Sequence, residues 1–296
     1  MDRVIHAMIA GGEARVIMAS TSELVARARD LHQCSPTATA ALGRVLTGAT
    51  LMGALLKSER DVVSLRVDGG GPGGPVQAIA RADGTVKGLI RNPQADLPIR
   101  EKDGKLDVGG LLGKNGSLVV TKDMGLKEPY VGRCDLVSGE IGEDLATYFV
   151  QSEQTPSVVS VGVLLAGNAI SAGGLIVQAM PQCSEEVLEE LELRAPVMGD
   201  ISRNLIEFDG PMGLMRAMFR GMEPQVLTDT PVAWKCDCSP ERVAAALVTL
   251  GPDELLDMAQ KDHGAEVGCP YCNTKYRFSE KELEHLAEEA RGSRKE

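Results

Sequence analysis

Aromatic side chains make up only 3% of this 296-residue chain, so its core must be built from Leu, Val, Ile, Ala and Met. Basic charge is also short. The formal net charge is −11 and the pI is near 5.0, which argues against a general nucleic-acid binder, since that would need a basic footprint. No apolar run reaches the roughly 20 residues of a membrane span. Residues Met1 to Gly12 lack a basic stretch followed by a long apolar one, so no secretory leader is expected and the cytoplasm is the expected compartment. No phosphate-loop lysine motif occurs. Gly69, Gly71 and Gly74 match G-x-G-x-x-G formally, but Pro72 and Pro75 disturb the turn, and the residues that follow alternate as a strand where a helix should begin.

The length and the ordinary share of charged residues suit a globular chain of about two domains. Ser35-Pro36 marks a helix start, followed by Leu42, Val45, Leu46, Ala49, Met52 and Leu56 at helical spacing. Gly43, Gly48 and Gly53 interrupt that helix and suggest close packing against a sheet. Residues 62–67 and 76–81 alternate as a hairpin around the Gly69–Pro75 turn. Residues 138–151 read as a helix with an acidic first turn, and 158–165 and 175–179 as strands. Strands and helices mix without regular alternation, so the expected class is α+β. The mixed sheet-and-helix core spans 1–180.

Composition shifts at Met180-Pro181. An acidic amphipathic helix over 184–194 is followed by the breakers Pro196 and Gly199. A Met-rich stretch then puts Met215, Met218 and Met222 on one helical face, with Phe219 nearby. Residues 181–231 read as a helical linker. The Met face is ordinary core on the simplest reading; its functional alternative is an adaptable apolar surface, because methionine repacks against varied partners.

The segment 232–296 carries the most informative pattern. Cys236-Asp237-Cys238 is followed, thirty residues later, by Cys269-Pro270-Tyr271-Cys272. Two close pairs separated by a long segment suit a four-thiolate metal site, with zinc as the leading metal. The first pair, with one residue between its cysteines, is tighter than zinc ribbons need. Cys34, Cys134 and Cys183 are isolated and read as buried structural thiols. Lys275-Tyr276-Arg277-Phe278 could touch single-stranded RNA, but an alternating strand with both rings packed near the metal explains it more simply. His263 reads as an exposed helix residue rather than a ligand.

Together these residues resemble the heat-shock protein 33 family of redox-regulated chaperones. The cysteine pattern matches, including Trp234-Lys235 before it and Pro270-Tyr271 within it. So do Tyr130-Val131-Gly132, Leu136 to Ile141, Glu143-Asp144-Leu145, Ser152-Glu153-Gln154-Thr155-Pro156, Gly173-Gly174-Leu175, Gln178-Ala179 and Phe208. The resemblance implies an N-terminal core, a helical linker and a small C-terminal zinc domain with a short tail. It implies an ATP-independent holdase, not an enzyme, with one zinc per chain on Cys236, Cys238, Cys269 and Cys272 in the reduced, inactive form. On oxidation it implies disulfides Cys236–Cys238 and Cys269–Cys272, loss of zinc and local unfolding. Apolar surface, with Met215, Met218, Phe219 and Met222 as candidates, would then meet unfolding clients, often with dimer formation. A zinc-ribbon nucleic-acid adaptor and a thiol oxidoreductase remain the alternatives.

Overall fold

The computed structural model describes residues 1–293. Its first two strands carry no strong sequence signal. Arg3–Ile9 (β1) and Ala14–Ser20 (β2) form an antiparallel hairpin, turned by Gly11 and Gly12 at positive φ. Two helices follow, Ser22–His32 (α1) and Pro36–Gly53 (α2). The α2 start is as expected: Ser35 Oγ accepts from Ala38 N at 3.2 Å, and Pro36 opens the first turn. Then come Val62–Asp68 (β3), Val76–Arg81 (β4), Thr85–Ile90 (β5), the short helix Val108–Leu112 (α3), Ser117–Asp123 (β6) and Tyr130–Asp135 (β7). Because β4 follows the Gly69–Gly74 loop directly, the dinucleotide-loop reading fails. Gly142–Gln151 (α4), Ser157–Ala166 (β8) and Ala169–Ala179 (β9) complete this part.

The expected helix over 138–151 begins only at Gly142, and a single carboxylate explains why. Buried Asp144 accepts from the amides of Val137 (2.8 Å), Ser138 (3.1 Å) and Ile141 (2.9 Å), folding the preceding residues into a cap. It holds Ile141 at φ +72°, a conformation that a β-branched residue does not adopt unaided.

The next stretch is Glu185–Arg194 (α5), Ile201–Glu207 (α6), Pro211–Met218 (α7), Gln225–Pro231 (β10) and Ala233–Trp234 (β11). The expected helical linker over 181–231 is therefore helical only as far as Met218. Its last residues pair with β1, whose free edge and the Val226, Thr228 and Thr230 alternation favour a strand. Five strands form one sheet in the order β10-β1-β2-β9-β8, and six form another in the order β11-β5-β4-β3-β6-β7.

Helix α2 contacts both sheets and is buried along nearly its whole length, as an apolar helix without a polar face must be. Its glycines serve close packing. A Cβ on Gly43 would lie 2.8 Å from Val163 of β8, and one on Gly53 would lie 3.0 Å from the Arg81 carbonyl. The opposite face of the five-stranded sheet presents Ile5, Ala7, Ile9, Val16, Met18, Leu175 and Val177. Leu191, Ile201, Leu205, Leu214, Met215, Met218, Phe219 and Met222 from the 181–231 segment cover it.

The backbone divides into two compact units between Lys235 and Cys236. The second holds Pro240–Val248 (α8), Pro252–Lys261 (α9), the antiparallel pair Gly264–Gly268 (β12) and Lys275–Ser279 (β13), and Glu280–Ser293 (α10). Its own core is small: Leu247, Leu255, Ala259, Phe278, Leu283, Leu286, Ala287 and Ala290. Among the described residues no helix is long and apolar enough to cross a membrane.

Candidate metal centre

Two local structures carry the cysteines of the second unit. Cys236 and Cys238 lie on the loop that enters α8. Ser239 is extended there, and its hydroxyl accepts from Arg242 N at 3.3 Å, so the helix cap fixes where the loop ends. Arg242 reaches back to the Asp237 carbonyl at 3.0 Å and also pairs with the Asp237 carboxylate. Those contacts tie the residue between the two cysteines to the first turn of α8. Cys269 and Cys272 lie on the turn joining β12 to β13. Cys269 N donates to Thr274 O at 2.9 Å, and Asn273 N donates to Cys269 O at 2.8 Å. Asn273 takes φ +57°, a left-handed position that asparagine tolerates.

These elements bring all four sulfurs within 4.8 Å of one another. Cys236 and Cys269 are 3.7 Å apart, and Cys238 and Cys272 are 3.3 Å apart. Metal–sulfur bonds of about 2.3 Å in a regular tetrahedron put sulfurs about 3.8 Å from each other. The donor set therefore fits a four-coordinate thiophilic ion, and the four sulfurs could hold a metal. Cys269 is buried and the other three are half-buried; all seven cysteines of the chain are free thiols.

The four thiols are not equivalent. Burial pushes the Cys236 thiol up to about 12. Burial also opposes ionisation of Cys272, but hydrogen bonding with the Thr274 hydroxyl (3.2 Å) and amide, and with Cys238 and Cys269, outweighs it and brings that thiol down to about 6. Tyr276 donates its hydroxyl to Cys238 Sγ at 3.1 Å, and its own pKa rises to about 12 because the sulfur holds its proton. The cluster thus has one sulfur poised as thiolate and a neighbouring hydroxyl aimed at another, the kind of outer hydrogen bonding that orients metal ligands.

Sequence reasoning put Tyr276 and Phe278 near the metal as packed rings. Phe278 is buried in the small core, but the role of Tyr276 as a donor to sulfur was missed, as was that of Thr274. Strand alternation from Phe278 shows which residues share a face, not which hydroxyl reaches a sulfur. His263 lies outside any helix, at φ +55°, with Nδ1 2.7 Å from Glu280, and it is not in the cluster. Lys275 and Arg277 both pair with Glu266, at 2.6 and 2.9 Å, so the basic residues of the RNA reading are already engaged by an acid. Of the isolated cysteines, only Cys134 is buried; Cys34 and Cys183 are half-buried. Met215, Met218, Phe219 and Met222 are all buried against the five-stranded sheet.

A sequence model of a family described as Hsp33 protein matches residues 2–279. The chain is 40% identical over 290 residues to a 33 kDa chaperonin of Alkaliphilus metalliredigens, covering 97% of this chain and 99% of that one. It is 42% identical over 289 residues to a 33 kDa chaperonin of Clostridioides difficile, with coverage of 97% and 99%. Among solved structures it resembles the crystal structure of the 33 kDa chaperonin (heat shock protein 33 homolog) of Thermotoga maritima. That match has a TM-score of 0.88 and 37% identity, over 98% of this chain and 99% of that one.

Proposed function

The chain belongs to the Hsp33 family of chaperones, and from that membership and the thiol cluster we propose that it is an ATP-independent holdase switched on by oxidation. The observation that carries the reading is the convergence of Cys236, Cys238, Cys269 and Cys272 within 4.8 Å. Zinc, one per chain, is the metal this four-sulfur set suits best; when bound it would keep all four sulfurs as thiolates and tie the Cys236–Cys238 loop to the Cys269–Cys272 turn.

The reduced form is the inactive one. With hydrogen peroxide as oxidant, a cysteine thiolate attacks one peroxide oxygen, giving a sulfenic acid and hydroxide. The neighbouring thiol then attacks that sulfur, forming the disulfide and releasing water. We assign the pairs as Cys236–Cys238 and Cys269–Cys272, because each partner is the nearest cysteine along the chain and stays near when the fold loosens. Sulfurs held in disulfides no longer serve as thiolate donors, so the loop and the turn lose their common tie.

The small core of this unit cannot replace that tie. Structural zinc is worth about 10–16 kcal/mol of apparent binding free energy, against about 5–15 kcal/mol of net stability for a whole domain. Two disulfides closing very short loops restore little, since their stabilisation grows with loop length. Residues 236–293 therefore lose their structure. The 181–231 segment loosens with them and uncovers both the Met215, Met218, Phe219 and Met222 cluster and the sheet face beneath it. Unfolding client proteins bind there, and the oxidised form associates as a homodimer. The cytoplasm, where thiols are kept reduced until stress, is the compartment in which such a switch is useful.

The test is light scattering from an aggregating client without ATP. We expect suppression by peroxide-treated protein and little by the reduced, zinc-loaded form. Equal suppression by both defeats the redox switch. Turnover of a small disulfide substrate would favour an oxidoreductase, and tight, salt-sensitive RNA binding would favour a zinc-ribbon adaptor.

A further inference from the structure

The six-stranded sheet ends in an edge that the chain itself occupies with very little. β11 pairs in parallel with β5 through only two residues, Ala233 against Thr85 and Trp234 against Val86. Ala233 N donates to Gly84 O at 3.1 Å, and Lys235 N donates to Val86 O at 3.0 Å. The next carbonyl on the same side of β5, that of Gly88, meets His32 Nε2 at 3.0 Å. Three successive outward carbonyls are thus each engaged, two by backbone amides and one by a side chain standing where a third amide would come.

The side chains of the occupying segment alternate in the manner of a docked strand. Val232 is buried and Trp234 packs on the core, its ring 6.0 Å from His32 and edge-on, whereas Ala233 and Lys235 are exposed. Gly84, at φ +80°, admits the incoming backbone, since a Cβ there would lie 2.1 Å from Pro231 O.

We propose that the outer edge of β5 is a docking rail for an extended segment of an unfolding protein, and that β11 is its resting placeholder. The proposal rests on the reading of the chain as an oxidation-activated holdase and names one place where clients attach. The occupant is identified by what already sits there: an extended backbone with apolar residues at alternate positions, one of them aromatic. β11 covers only Thr85 and Val86 of the six residues of β5. Its last hydrogen bond, at Lys235, is made by the residue before Cys236. Once the cysteine segment loses its structure, a two-residue strand is left to hold the edge, well below the usual length of about 5–6 residues. A client segment that displaces β11 and takes the Gly88 carbonyl from His32 makes a longer ladder than the placeholder does.

The test staples the placeholder down. Thr85 and Ala233 are register partners, and directly paired strand residues lie within the roughly 4.4–6.8 Å Cα separation of a disulfide. A Thr85→Cys/Ala233→Cys variant closes its staple under the same peroxide treatment that activates the protein, and peptide mapping verifies the bond. We expect client holding by the stapled form to fall about tenfold below that of the two single variants. Binding of a dansylated peptide copying residues 230–235 should fall with it. Trp234→Ala, which loosens the placeholder without a new bond, should bind that peptide more tightly than wild type when oxidised. A stapled form that holds clients and peptide as well as the single variants, or unchanged peptide affinity in Trp234→Ala, overturns the docking rail alone. An oxidised wild type that holds no client overturns the functional reading and the rail together.

Discussion

Replacing Phe219 by alanine should loosen the 181–231 segment and activate the protein without oxidant. Phe219 is completely buried, in a cluster that joins α5, α6 and α7 to Ile5, Val16, Met18 and Leu175 of the sheet. Truncating a buried phenylalanine costs about 3–5 kcal/mol, the lost transfer energy plus the cavity left behind. Each 1.4 kcal/mol is about a factor of ten, so the population in which the segment has lifted should rise by roughly 10²- to 10³-fold or more. Hydrogen exchange of the reduced, zinc-loaded protein reads this directly. Amides such as Leu188, Phe208 and Leu214, which donate to Ser184, Asn204 and Gly210, should exchange faster by that factor while those of β3, β4 and β6 keep their rates. The same sample should suppress client aggregation where reduced wild type does not. Val197→Ala, at an exposed position of the same segment, should change neither reading. Exchange accelerated less than about tenfold in an otherwise native Phe219→Ala protein would show that the cluster does not hold the segment down. Full acceleration without holdase activity would show that lifting it is not what activates.

The double variant Cys236→Ser/Cys272→Ser should purify with essentially no zinc by elemental analysis, against one per chain for wild type; normal content would defeat the ligand assignment. Tyr276→Phe removes the hydroxyl 3.1 Å from Cys238 and should weaken zinc retention against a chelator by about tenfold or more, as changes around metal ligands commonly do. Asp144→Ala strips the acceptor of the Val137, Ser138 and Ile141 amides from a fully buried site and should cost about 3–5 kcal/mol in urea unfolding. Glu140 is opposed by burial, but Arg44 and Arg100 hold its carboxyl below its ordinary 4.5. A group depressed in this way adds stability that is complete above 4.5 and is lost as pH falls through its folded value. The melting-temperature gap between wild type and Glu140→Gln should therefore be constant from about pH 8 to pH 5.5 and close below pH 4.5.

The helix α2 was legible because Ser35 and Pro36 announce its start and its apolar positions recur without a break. The cysteine cluster was legible because four cysteines in two close pairs have few uses in a chain of this composition other than meeting at one place. The hairpin β1–β2 was not. One face of its sheet packs on α2 and the other lies under α5–α7, so Val4, Ile5, Ala7 and Ile9 show no clean polar alternation. β10 hid differently. It lies between Pro224 and Pro231 and is largely exposed, so its composition reads as a linker, and only the free edge of β1 makes it a strand. The Met-rich face showed a third limit. Helical spacing places Met215, Met218 and Met222 together, but the pattern is the same whether that face meets a sheet or a client.

The pairing of β1 with β10 joins the start of the chain to Gln225–Pro231. During synthesis, therefore, the outer edge of β1 has no partner until nearly the whole core has left the ribosome, and domains whose pairings are this distant fold slowly. For that interval the nascent chain exposes a strand edge and the apolar row Ile5, Ala7 and Ile9, the features that make unfinished proteins aggregate. Before it can protect other chains, this one passes through the vulnerable state of a client.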